Sequence, residues 1–163
     1  MSLLIRPARP EDAALVFDFI QELADYERMA SEVRATPEEI AAALFAPAPR
    51  VFCSLAEWQG EAAGFALWFY NFSTFRGRHG IYLEDLFVRP QLRGRGIGKA
   101  LLGELATRAV REGCARLEWS VLAWNSPSIA FYEGLGAKRQ DGWHVYRLSD
   151  AALLKLAGKG TRL

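Results

Sequence analysis

Between Glu11 and Met29 apolar residues return every three or four positions, at Ala13, Val16, Phe17, Ile20, Leu23 and Ala24, with Asp12, Asp18, Glu22 and Asp25 in the places between. Such a stripe predicts an amphipathic helix lying on a core. A short apolar run from Leu3 to Arg6 precedes it and is closed by Pro7, which reads as a first strand. Thr36-Pro37-Glu38-Glu39 combines a capping hydroxyl, a proline in the first turn and a Glu three residues after the cap. A second helix is therefore expected to run to about Phe45, ended by Pro47 and Pro49. Val51 to Trp58 and Ala62 to Phe72 are apolar and aromatic on either side of Gln59-Gly60, the mark of an antiparallel hairpin.

After a polar stretch from Ser73 to Gly80, Ile81 to Val88 is apolar except for Glu84 and Asp85. It leads through Pro90 and a glycine-rich loop into a helix whose stripe is Ile97, Leu101, Leu102, Leu105, Ala106, Ala109 and Val110, stopped near Gly113. Arg116 to Ala123 reads as a strand, Pro127 to Leu135 as a short helix, Trp143 to Leu148 as a last strand and Asp150 to Ala157 as a helix. A helix between the strands at Ile81 and Arg116 makes those two parallel neighbours, while the earlier hairpin is antiparallel. The fold class expected is α/β, a mixed and mostly antiparallel sheet with helices on both faces, in a single domain over residues 1–163. No repeat or low-complexity linker interrupts it.

Composition narrows the functions. The chain has 163 residues, 51% of them hydrophobic and 24% charged, which suits one globular domain with its own core. Its formal charge of +1 gives a nucleic acid no general excess of positive charge to meet, so any anion site is local. Cys53, Cys114, His79 and His144 match no metal-ligand or redox spacing, and no metal is expected. No apolar run approaches a membrane span or a signal-peptide core, so a reducing cytoplasm is the expected location.

Arg93-Gly94-Arg95-Gly96-Ile97-Gly98-Lys99 lies between a predicted strand and the first turn of a helix. Free backbone N–H groups and the positive end of the helix dipole converge there, and glycines let an anion approach closely, so a phosphate is the natural occupant; a tight surface turn with incidental arginines is the plain alternative. The nucleotide-triphosphate loop does not fit, because Ala100 follows Lys99 where a hydroxyl is needed. The dinucleotide fingerprint does not fit either, since Gly94, Gly96 and Gly98 alternate. The string resembles the Arg/Gln-x-x-Gly-x-Gly/Ala pyrophosphate loop of the GCN5-related N-acetyltransferases (GNAT), with Arg93, Gly96 and Gly98 at the signature positions. Tyr82-Leu83-Glu84-Asp85-Leu86-Phe87-Val88, Trp124-Asn125 with Pro127-Ser128, Phe131-Tyr132, Gly136-Ala137 and Gly142-Trp143 extend the likeness over nearly the whole chain, to the diamine and thialysine acetyltransferase branch.

The resemblance implies a GNAT-like sheet of roughly six or seven strands flanked by about four helices, with two splayed parallel strands at Glu84 to Val88 and Glu118 to Val121. It implies acetyl-CoA as cofactor, CoA as product, and direct attack of an amine in a ternary complex. Leu86, Phe87, Val88, the loop from Arg93 and Gly94 through Arg95, Gly96, Ile97 and Gly98 to Lys99, and Asn125 with Ser128 are then the cofactor-binding residues. The backbone N–H of Leu86, beside a bulge, matches the donor that polarises the thioester carbonyl. An alkylammonium of pKa about 10.4 must lose a proton before attack, roughly 4–5 kcal/mol at pH 7. Glu84 is the candidate to accept it, directly or through water; pairing of Glu84 or Asp85 with a buried arginine or a backbone donor is the structural alternative. Alternation places Asp85 on the other face, with Leu83 and Phe87. Tyr132 matches the proton donor to the departing sulfur, where residue type alone would read as core, and Asn125 and Ser128 read otherwise as helix caps.

On the acceptor side the resemblance implies Tyr26, Glu27, Glu84, Glu118, Asp141 and Trp143 as substrate-binding residues, while solvated charges and a core tryptophan are the ordinary readings. Polyamine enzymes carry an acid where this chain has Thr74, which favours a small, lysine-like primary amine over spermidine. A protein or peptide acetyltransferase and a non-catalytic CoA-binding module are the competing functions. A homodimer is implied by analogy, with the aromatic run from Phe65 to Phe75 as its candidate patch.

Overall fold

A computed structural model describes residues 2–159 and divides into two compact units, Met1–Leu122 and Ala123–Leu163. The first unit is built on a five-stranded sheet in chain order: β1 (Leu3–Pro7), β2 (Phe52–Trp58), β3 (Glu61–Ser73), β4 (Arg78–Val88) and β5 (Leu117–Trp119). The first four pair antiparallel, and β5 joins β4 in parallel after a helical crossover. Gln59 and Gly60 both take positive φ, 51° and 82°, the two-residue turn whose twist suits a hairpin. The polar stretch expected from Ser73 to Gly80 is mostly strand: β3 and β4 extend to the pair Ser73 and Arg78, leaving a short turn.

Helices α1 (Ala13–Tyr26) and α2 (Pro37–Leu44) cover one face. Thr36 caps α2 as expected, its hydroxyl accepting from Glu39 N while the Glu39 carboxylate accepts from Thr36 N. Val16, Phe19 and Leu23 pack with Leu44, Cys53, Leu55, Phe65, Leu67 and Phe87, and Phe19 stacks on Phe65 at 5.4 Å. Burial pushes the Cys53 thiol up to about 12, with Asp12 and Asp85 adding to the effect, so this cysteine is an inert core residue. Helix α1 starts later than its hydrophobic pattern because residues 10–12 form a 3-10 turn. Arg6 fixes that turn, donating to both Asp12 oxygens at 2.7 and 3.0 Å and to Glu57 at 3.0 Å, which holds the Asp12 carboxyl below its usual range. The other face belongs to α3 (Ile97–Arg111), whose Ile97, Leu101 and Leu105 are buried. Ser54 Oγ donates to Glu104 and Arg108 lies over Trp68, ties from α3 to β2 and β3.

The second unit contains α4 (Ser126–Gly134) and α5 (Asp150–Leu156). Trp143 to Leu148, expected as a strand, forms none, and β5 is shorter than the expected Arg116 to Ala123. Among the described residues the sheet therefore has five strands rather than six or seven. An apolar run becomes a strand only when a neighbouring ladder satisfies its backbone, and the pattern of side chains carries no record of that partner.

Candidate active site

Glycines set the shape of the loop before α3. Gly94 and Gly96 take φ of 76° and 80°, a region that costs other residues strain, and a Cβ at either would enter open space. Gly96 is the N-cap of α3 and offers no side chain to the first turn, which contains no acid. The leading N–H groups of Ile97, Gly98 and Lys99 are thus left for an external acceptor, the arrangement a pyrophosphate would fill. The two loop arginines lie against aromatic rings. The Arg93 guanidinium stands 4.7 Å from the Tyr26 ring centroid and 5.4 Å from that of Phe87, while its Nε donates to the Val88 carbonyl at 2.8 Å. Arg95 lies over Trp58 at 5.6 Å. Arg93 therefore ties the end of α1 to the end of β4, with its backbone beginning the glycine loop.

Beside this loop β4 is irregular. Asp85 pairs with Leu67 and Leu83 with Trp68, so Glu84 is the extra residue of a β-bulge. The parallel ladder to β5 ends at Leu83 and Trp119, and β4 continues alone on that side through Leu86 and Phe87 to Val88. This is the parting of strands expected at Glu84. The bulge also corrects the expected alternation. Asp85 shares the α1 face with Phe87 and Leu67, whereas Leu83, opposite Trp68, faces α3; one inserted residue reverses every side chain beyond it.

Three acids gather at this end of the sheet. Asp85 is largely buried, and desolvation, with the charges of Glu84 and Glu27 adding, pushes it up from 3.8 to about 7. Glu27, the C-cap of α1, is also raised by desolvation. Among the described residues no arginine pairs with Glu84 or Asp85. The nearby Arg89 is committed elsewhere, donating to Glu22 at 3.1 Å and to the Ala62 carbonyl at 3.2 Å above the Phe19 ring. The arginine pairing that is one structural alternative for these carboxylates is therefore not seen among the described residues. Asp85 is the functional candidate that the sequence reading left out of its site; the signal was the doubled acid in an apolar strand, and only the bulge shows which way it faces.

Glu118 differs. Its Oε1 accepts from Arg116 Nε at 2.9 Å and from Asn71 Nδ2 at 3.2 Å. In the second unit Asn125, buried, caps α4 by accepting from Ser128 N at 3.4 Å. Tyr132 lies on that helix beside Phe131, ring centroids 5.4 Å apart. Asp141 pairs with Arg139 at 2.6 Å in an exposed contact, and the backbone N–H of Trp143 donates to the Gln140 carbonyl at 3.3 Å. Tyr26, Glu27, Glu84, Leu86 to Val88, the glycine loop and Glu118 are thus carried by the first unit, and the remaining candidates by the second. Among the described residues no group of three or more His, Cys, Asp or Glu is placed to hold a metal ion.

A parallel pair parting at a bulge, followed by a glycine loop that opens a helix, is the local geometry the resemblance implies, and the comparisons give the class, an acetyltransferase. The profile of the acetyltransferase (GNAT) family matches residues 16–137, and the chain belongs to that family. It is 36% identical over 168 residues to a thialysine N-epsilon-acetyltransferase of Bos taurus, covering 96% of this chain and 98% of the relative. A thialysine N-epsilon-acetyltransferase of Caenorhabditis elegans is 36% identical over 151 residues, covering 91% and 92%. Among solved structures, an integron cassette protein from the mobile metagenome of V. cholerae superposes with a TM-score of 0.80 at 31% identity, covering 96% of this chain and 98% of that one.

Proposed function

We propose that this chain transfers an acetyl group from acetyl-CoA to the primary amine of a small molecule of the diamine or lysine-like kind, by direct attack in a ternary complex. The observation that carries the reading is the join, within one unit, of an open glycine cradle to three carboxylates with which no arginine among the described residues pairs. The anion end suits a cofactor phosphate and the acid end suits an ammonium. Ile97, Gly98 and Lys99 would hold the pyrophosphate through backbone N–H groups, with the charges of Arg95 and Lys99 close by, and Leu86 to Val88 would meet the pantetheine along the freed edge of β4. Bound acetyl-CoA supplies the thioester.

Glu27, Glu84 and Asp85 attract the ammonium, and Glu84, with Asp85 beside it, takes its proton. Beside Glu84, Asp85, pushed up to about 7, is better matched to holding a proton at neutral pH than an ordinary aspartate. Tyr26 and Trp143 serve the acceptor side, and Tyr132 returns a proton to sulfur. Asn125 and Ser128 shape the start of the helix that carries Tyr132. Residues 1–163 act as one domain, a reading supported by a family match that runs across both units. No described helix is long and apolar enough to cross a membrane; a cytoplasmic location is proposed from the two unpaired cysteines. Phe72 and Phe75, 53% and 98% exposed at the end of the β3–β4 hairpin, are the aromatics of the Phe65 to Phe75 run that a homodimer would cover.

The test is release of free CoA thiol, with mass detection of the acetylated product, across a panel of amines and peptides. A small amine is expected to turn over fastest. Turnover on peptides alone, or acetyl-CoA binding with no turnover, would replace the proposal by one of the two competing functions.

A further inference from the structure

The sheet face beneath α1 carries opposite charge at its two ends. Glu27, Glu84 and Asp85 hold one end. Toward the other, Asn71 of β3 reaches across Gly80 of β4 to donate to Glu118 of β5, and Arg116 donates to the same oxygen. The reach depends on Gly80, because a Cβ there would stand 2.5 Å from Asn71 Oδ1. Beyond this cluster, at the start of β4, Arg76 and Arg78 line a cleft of about 310 Å³, and the segment from Ser73 to Gly80 contains no acid. Glu118 sits opposite Tyr82 and Tyr82 opposite Phe69, whereas Asp85 sits opposite Leu67. The offset is two residues along the strands and one strand across, about 7 Å by 5 Å.

We propose that Arg116, oriented by Glu118 and Asn71, is a specificity-determining residue that binds the carboxylate of an amino-acid acceptor whose distal amine lies at Glu27, Glu84 and Asp85. This deepens the acetyltransferase reading and rests on it. Glu118 occupies Nε of Arg116, and the side chain is half-exposed at 49%, so the donors on its terminal nitrogens are the part offered to a ligand. Both hydrogen bonds to Glu118 converge on Oε1, which leaves Oε2 to accept from the α-ammonium. Arg116 and Glu118 together thus complement a zwitterionic head group. A polyamine still offers an ammonium to Glu118 Oε2 but has no carboxylate for Arg116, so it forgoes that pair and meets the charges of Arg116, Arg76 and Arg78 uncompensated.

The experiment compares L-lysine with cadaverine, which has the same distal amine and no carboxylate. The parent enzyme is expected to prefer lysine at least about tenfold in kcat/KM. Arg116→Gln is expected to raise the KM for lysine about 10- to 100-fold, with kcat nearly unchanged and cadaverine altered less than about threefold. Asn71→Ala, which leaves the ion pair in place, should give a smaller loss in the same direction. Acetyl-CoA binding, measured by calorimetry on each variant, should be that of the parent. A parent that uses cadaverine as well as lysine overturns the assignment, whether or not the variants fold. Equal losses on both amines overturn it as well, since a strand brace would act that way. Absence of turnover on every amine would instead remove the acetyltransferase reading itself.

Discussion

Asp85 and Glu118 lie on one sheet face, one strand apart, and are held in opposite ways. Glu118 has two donors on one oxygen and half-exposed surroundings; Asp85 is largely buried, its charged neighbours are acids, and it is pushed up to about 7. A carboxylate that already has its cation is part of the fold, whereas one held among like charges is completed only by a ligand. On the proposed function the amine belongs at the bulge, while Glu118, held by its donors on one oxygen, offers the acceptor only its other oxygen.

The largest effect expected from this contrast is on rate. Glu84→Gln should lower kcat/KM for the best amine about 100- to 10,000-fold at pH 7, while Glu118→Gln should cost a plain diamine less than about tenfold. Comparable losses on a diamine would erase the distinction between the two ends.

Stability separates them next. The unfolded chain releases the Asp85 proton near 3.8 and the folded chain near 7, so between those values the folded state retains a proton that the unfolded state has lost. Stability from this group therefore falls as pH rises through that window, and above it the buried charge weighs fully on the folded state. Asp85→Asn should remove this slope and raise stability at pH 8 by about 2–4 kcal/mol, read from urea unfolding at several pH values. A variant with the parent's pH dependence would show that Asp85 is not the cause.

A smaller contrast comes from two glycines under the two ends. Gly64 pairs with Val88, and a Cβ there would run into the Phe87 carbonyl, a backbone atom that moves only with its strand. Gly64→Ala should cost about 2–3 kcal/mol. At Gly80 the first obstacle is the Asn71 side chain, which can swing away, so Gly80→Ala should cost about 1 kcal/mol and release Glu118. Thermal unfolding of the pair checks the order; a reversal would mean that the two ends are built differently from this account.

Most of the first unit was legible because its signals are local. The box at Thr36 and Glu39, the Gln59-Gly60 turn and the stripe of α3 each need only a few neighbouring residues. What escaped the sequence depends on partners far along the chain. The facing of Asp85 follows from an inserted residue that only the β3 register reveals. The Asn71–Glu118 bond spans 47 residues and needs a gap at Gly80, and the Arg93 stack on Tyr26 joins a loop to the end of a distant helix. Trp143 to Leu148 failed for the same reason in reverse: its apolar pattern is strand-like, yet no ladder forms there.

The measurement that bears most directly on the central claim is kcat/KM against pH for Glu84→Gln and Tyr132→Phe with the best amine. If the acids at the bulge take the amine's proton, Glu84→Gln should recover part of its rate as pH rises toward the acceptor's pKa, because solution then supplies free amine. Tyr132→Phe, which loses only the hydroxyl, should recover nothing comparable. Parallel profiles for the two variants, or a Glu84→Gln enzyme as fast as the parent at pH 7, would contradict the account.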